Sequence, residues 1–407
     1  MPSSSATARR DVSTDPHGLG AVRGHCEPRF AQVRDALAEI MAAGTEVGAA
    51  LTVCVDKEPV VDLWAGHTDA ARTRPWDRDT IVNLFSVGKA ITALCALRLV
   101  EAGLLDLDAP VARYWPEFAQ AGKGGLPVRY LLTHQAGLAA IARPLPPEAW
   151  SQWDVITGAL ASQAPWWEPG SAHGYHVNTQ GFLIGEVVRR VTGKSLGTFL
   201  LESLTAPAGI DFFIGFGPAL DGRCADYLPP PPTAERDELE RRLDGNPTSL
   251  GGPARMRINA YRNPSNFSGM AIVNTRAWRA AEVPSTNGHG NARAVARLYS
   301  ALAGDGELHG VHVLAPATVG RAIEEQVNGM DIVLERTNRY GLGFQLTMPA
   351  RRLGPGPRAF GHFGAGGSLG FADPDAGVAI GYAMNQGRPG WQHKHVRRLI
   401  DLVYTAL

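Results

Sequence analysis

No stretch of the 407-residue chain approaches the apolar length that crosses a bilayer, and residues 1–20, rich in Ser, Thr, Ala and Arg, lack the apolar run of a secretory signal. A cytoplasmic protein with a flexible segment over residues 1–24 is expected. Net charge is missing too: 39 Lys plus Arg face 39 Asp plus Glu, so neither nucleic acid nor an anionic membrane surface is expected as a partner. The four cysteines, Cys26, Cys54, Cys95 and Cys224, have no C-x-x-C spacing and read as small buried hydrophobes of a reduced compartment. No cofactor and no metal is expected.

Strand character is scarce through the middle of the chain. From residue 67 to about 284, helical patterns alternate with Pro/Gly-rich loops, and 226–266 reads as long ordered loops of the kind that cover a site. Before it, β-rich runs at 47–55 and 60–64 read as a hairpin; after it, strands are predicted at 340–346, 359–363, 370–372 and 377–384. A lone hairpin is only marginally stable, so the two ends of the chain most economically form one antiparallel sheet. Residues 25–66 and 285–407 would make a discontinuous α/β domain, with 67–284 a helical insertion. Further helices are predicted at 28–44, at 179–191 ending at Gly193, at 196–204, at 291–302, and around Val396, Leu399, Ile400 and Val403.

What is present is a concentrated apolar helix behind Leu84-Phe85-Ser86-Val87-Gly88-Lys89. Val87, Ala90, Ile91, Leu94 and Leu97 recur with a helical period, and Gly103 supplies a stop. Ser86 and Lys89 stand three apart, hence on one face, and this is the chain's only S-x-x-K. A serine hydroxyl is a weak nucleophile that a neighbouring amine can activate, and a helix start offers N–H groups to an oxyanion. The plain alternative is a solvated helix lysine.

Two further stretches carry suitable chemistry. Pro165-Trp166-Trp167-Glu168-Pro169-Gly170 leads into His173-Gly174-Tyr175-His176-Val177-Asn178, where a nearby cation could stabilise a Tyr175 phenolate; a core tyrosine is the bland reading. Gly361-His362-Phe363-Gly364-Ala365-Gly366-Gly367-Ser368 allows close backbone approach to a ligand. Gly366-Gly367-Ser368-Leu369-Gly370 also fits G-x-S-x-G, but Asp373-Pro374 follows where a nucleophile elbow needs a helix, so Ser368 is taken as a decoy.

Together these pieces resemble the serine β-lactamase and penicillin-binding-protein superfamily, most closely its class C-like branch, the family VIII carboxylesterases. Ser86-Val87-Gly88-Lys89 matches S-x-x-K, Tyr175 the Tyr of Y-x-N, and His362-Phe363-Gly364 stands where K-T-G or H-x-G is found. Leu131-Leu132-Thr133-His134-Gln135-Ala136-Gly137-Leu138 and Asn287-Gly288-His289-Gly290 resemble other recurrent segments, and the likeness runs from about residue 28 to the C-terminus. The resemblance implies an α+β fold of β-lactamase/transpeptidase type, an antiparallel sheet flanked by helices with an inserted helical domain and the site in the cleft between. It implies Ser86 as the acylated nucleophile, Lys89 and Tyr175 sharing base and acid work, and an oxyanion hole from the backbone N–H groups of Ser86 and Ala365. His362, Gly364, Asn178 and Trp167 would contact substrate, a small-molecule ester. Two departures stand out. Val177 occupies the Asn place of Y-x-N, so Asn178 is displaced by one residue or the polar group is missing; His362 removes the permanent cation of K-T-G. Both suit a neutral ester better than a β-lactam. The same acyl-serine could serve a β-lactamase, a D-amino peptidase or amidase, or an acyltransferase, and a non-catalytic binding protein on this scaffold is the remaining alternative.

Overall fold

A computed structural model describes residues 21–230 and 251–407. The sheet starts from β2 (Gly48–Val55) and β3 (Glu58–Gly66), joined by a tight turn in which Asp56 and Lys57 take φ of +47° and +73°. A turn of this hand matches the twist of the strands it connects. β1 (Arg23–Cys26) pairs with β3. Ordered structure therefore begins inside the segment expected to be flexible over 1–24, of which 1–20 lie outside the described residues.

The other strands come from the far end of the chain: β4 (Val327–Asp331), β5 (Arg336–Tyr340), β6 (Gln345–Leu346), β7 (Phe360–Phe363), β8 (Leu369–Asp373) and β9 (Val378–Met384). Their order is β1-β3-β2-β9-β8-β7-β6-β5-β4, and every neighbouring pair is antiparallel. β2 and β9 pair from Val55↔Val378 to Ala49↔Met384, the seam where the two ends of the chain meet. Both of these strands are buried along nearly their whole length, which requires cover on both faces. Helix α4 (Ala292–Ala303) lies across β2, β8 and β9, while α1 (Ala31–Ala42) and α5 (Lys394–Thr405) pack against each other.

Between the two halves of the sheet the chain is mainly helical. Helix α2 (Val87–Glu101) is buried on almost every side, as a helix apolar all round must be. Helix α3 (Thr179–Thr192) packs on it and stops at Gly193, whose φ of +72° is the usual left-handed helix end.

Two expectations are corrected. The segment 226–266 contains a helix, Gly252–Arg262, among its described residues; Met256 and Ala260 are buried on one side, and the arginines elsewhere on it hid the period. Residues 231–250 lie outside the described set. The strand predicted at 340–346 is broken: Gly341 N–H donates to the Phe344 carbonyl at 2.9 Å, β6 is short, and the polar β4–β5 hairpin extends the sheet instead. Among the described residues, no helix is long and apolar enough to cross a membrane.

Candidate active site

Ser86 caps α2, and Phe85 just before it is held at φ +48°, a conformation that costs a bulky side chain energy and persists only when its surroundings enforce it. The enforcement is visible. Leu84 N–H donates to the Gly288 carbonyl at 2.8 Å, and the Leu84 carbonyl accepts the Ser368 hydroxyl at 3.0 Å. Within the S-x-x-K stretch, a Cβ on Gly88 would lie 2.7 Å from the Pro284 carbonyl oxygen, so only glycine lets the 284–285 backbone pass this close to α2.

That backbone supplies a partner for Lys89. Its Nζ lies 3.1 Å from Ser86 Oγ and donates to the Ser285 carbonyl at 3.0 Å and the Val177 carbonyl at 2.6 Å. Lys89 is fully buried, and burial alone drives its pKa well below that of an ordinary lysine. All three neighbours are uncharged.

Tyr175 presents its ring to the same amine, with Nζ 4.7 Å from the ring centroid. Its hydroxyl is buried; burial raises its pKa far above that of a free phenol, and the adjacent Ser86 hydroxyl is the main opposing influence. The two oxygens are neighbours without reaching the geometry of a formed hydrogen bond. Burial therefore favours a phenol over the phenolate expected from sequence. Around Tyr175, the rings of His134, His362 and Trp391 lie at 5.0, 6.1 and 5.3 Å.

The Tyr175 backbone is gripped from an unexpected direction. Its N–H is shared by both carboxylate oxygens of Asp331, each at 3.0 Å; the same buried carboxylate accepts Val333 N–H, Leu334 N–H and Asn338 Nδ2, all at 2.9 Å. Asp331 ends β4, so the polar outer hairpin positions the tyrosine. His176 is locked as a neutral ring: Nδ1 donates to the Gly174 carbonyl at 2.7 Å and Nε2 accepts Leu138 N–H at 3.1 Å, with burial lowering its pKa to about 4.

The remaining sequence candidates divide. His362 is buried beside Tyr175; burial, with Lys89 adding, lowers its pKa to about 3, and Nδ1 donates to the Phe363 carbonyl at 2.7 Å. Gly364 is where a Cβ would collide with Ser368 Oγ at 2.0 Å and the Leu84 carbonyl at 2.4 Å, so the glycine lets the end of β7 close on the Ser86 turn. Ala365 begins the next short turn, where a first-turn N–H has no acceptor inside the turn itself. Trp167 is half-buried, 5.8 Å from the His176 ring, in a small apolar cluster with Tyr175, Val177, Met256, Ala260 and Val333. Asn178 is not turned toward Lys89: its Nδ2 donates to the Ala260 carbonyl at 2.7 Å and Ser268 Oγ at 2.9 Å, and it is the Val177 main chain that meets the amine. Ser368 is spent on the Leu84 carbonyl and leads into β8 rather than a helix.

Sequence reasoning missed Ser285 and Asp331. Ser285 lay two residues before the recurrent Asn287-Gly288-His289-Gly290 stretch, which was a usable signal; Asp331 had none, being 156 residues from the tyrosine it holds.

A sequence model described as Beta-lactamase matches residues 33–405. The chain belongs to the Beta-lactamase family. Esterase/beta-lactamase LipL of Mycobacterium tuberculosis is 34% identical over 374 residues, 90% of this chain and 83% of that protein. Among solved structures, a family VIII carboxylesterase aligns with a TM-score of 0.85 at 39% identity, over 95% of this chain and 100% of the other. A penicillin-binding-protein homologue from Caulobacter crescentus gives 0.86 at 38% identity, with the same coverage of 95% and 100%. The β-lactamase/transpeptidase-like α+β fold follows, and with it a serine hydrolase.

Proposed function

We propose that the protein hydrolyses small carboxylic esters through an acyl-enzyme on Ser86. The setting of Lys89 carries this reading. A neutral amine has two N–H donors and one lone pair; the Val177 and Ser285 carbonyls take the donors, which leaves the lone pair for the Ser86 hydroxyl proton. Ser86 Oγ then attacks the ester carbonyl carbon as its proton passes to Lys89, and the tetrahedral oxyanion meets the N–H groups of Ser86 and Ala365. The Tyr175 phenol, kept protonated by burial, gives its proton to the departing alkoxide and is reprotonated from the Lys89 ammonium. Water attacks the acyl carbonyl in the second half, yielding its proton to the same pair and restoring Ser86.

The apolar cluster of Trp167, Val177, Met256 and Ala260 suits an acyl chain, and relatives that carry esterase names support an ester as donor. His362, held neutral, offers no cation at the K-T-G place. The test is substitution. Ser86→Ala abolishes turnover of para-nitrophenyl butyrate and labelling by a fluorophosphonate, whereas Ser368→Ala, which removes one hydrogen bond, costs about tenfold or less. The reverse ranking refutes the assignment; an acyl-enzyme discharged faster by added alcohol or amine than by water identifies an acyltransferase instead.

A further inference from the structure

Arg336, in the wall of this site, forms no direct ion pair with any carboxylate among the described residues. Its Nε and Nη2 are both buried with no hydrogen-bond partner, and among the described residues no other guanidinium has two such nitrogens. A buried N–H left without an acceptor is costly unless something else satisfies it. The nearby carboxylates offer it no hydrogen bond: the oxygens of Asp331, its cross-strand neighbour on β4, keep their charge but are taken up by Tyr175, Val333, Leu334 and Asn338, and Glu335 pairs with Arg257 at 3.1 Å. Arg351, close enough to repel it, donates to the Thr337 carbonyl and Asn338 Oδ1 and adds positive charge rather than removing it.

Its location joins it to the chemistry. The guanidinium carbon sits 4.0 Å from the Trp391 ring centroid, and that ring lies 5.3 Å from Tyr175. The Arg336 charge reaches the hydroxyls of Tyr175, Tyr261 and Tyr340, the last of them beside Gln345. A planar fork stacked on tryptophan, with Nε and Nη2 unmatched and Nη1 outside the buried set, is suited to a carboxylate that enters beside the ring.

We propose that Arg336 receives a carboxylate of the substrate, so that the preferred esters are those carrying a second, ionised acid group. This rests on the ester reading above and refines it: the cation missing at His362 stands instead on the Tyr175 side of the site.

The experiment compares para-nitrophenyl butyrate with the para-nitrophenyl half-ester of glutaric acid, which carries the charge on the acyl part, and phenyl acetate with acetoxybenzoate, which carries it on the alcohol part. At least one charged ester should exceed its neutral counterpart in kcat/KM, mainly through KM and more so at low salt. Arg336→Gln should lose on the order of tenfold or more on that ester beyond what it loses on the neutral one, with Arg336→Lys restoring part. Wild-type preference for the neutral member of both pairs, or a preference unchanged in Arg336→Gln, overturns the proposal. Failure to turn over any of the four overturns ester hydrolysis instead; calorimetric binding of glutarate and of benzoate to wild type against Arg336→Gln then decides the role of the cation, and equal or absent binding rejects it.

Discussion

Lys89 has only uncharged neighbours, and this single circumstance separates the acid from the base in the site. With burial as the sole influence on it, the amine is the group poised to lose its proton, and Tyr175 the one poised to keep it. The kcat/KM of a neutral ester should rise with pH along a limb lying well below the ordinary lysine value of about 10.4, with no fall before about pH 10. A decline between pH 8 and 10 would mean that Tyr175 ionises as an ordinary phenol. Lys89→Met should lower kcat/KM on the order of a thousandfold or more with little loss in thermal stability, since it removes a desolvated amine along with its hydrogen bonds. Asp331 acts through Tyr175, so Asp331→Asn, which replaces an acceptor oxygen with a donor, should lower kcat more than KM; a change in stability alone would make it purely structural.

At the scale of elements, the decisive contact is between α2 and the 284–288 backbone. Gly88→Ala would put a Cβ 2.7 Å from the Pro284 carbonyl oxygen, a backbone atom with nowhere to yield cheaply. About 1–3 kcal/mol of stability should be lost, measured by denaturant unfolding, and ester turnover should fall with it as the Ser285 carbonyl shifts from Lys89. Unchanged stability would show that this contact is not tight. The Ser86–Lys89 pair was legible in the sequence because both residues occupy one helical turn and the apolar period marks that turn. Tyr175 was legible only through its motif. The Asp331 support was not legible, since this edge hairpin of mixed polar residues shows no clean alternation, its Asn328-Gly329 pair falls inside β4 rather than at the turn, and its partner is fixed by tertiary pairing alone.

For the whole molecule, the joining of β2 to β9 means that folding must bring the two ends of the chain together around the mainly helical segment between them. Strand-like runs at both ends and their scarcity between made that topology readable. The buried histidines set its acid tolerance. His176, His289 and His362, with pKa values lowered to about 4, 3 and 3, bind protons in the unfolded chain near pH 6.5 but stay neutral when folded. The unfolded form thus holds more protons across this interval, so stability is complete above about pH 6.5 and declines as pH falls toward 4. Urea midpoints measured over that range should decrease steadily; a flat profile would contradict the burial of these rings. The central claim, that these distant segments converge to make Ser86 acylable, is tested most directly by peptide-mapping mass spectrometry of the protein quenched during turnover of an activated ester. The account predicts the acyl group on Ser86 and its loss in Ser86→Ala; an acyl group found on Ser368, or hydrolysis that continues undiminished in Ser86→Ala, would contradict it.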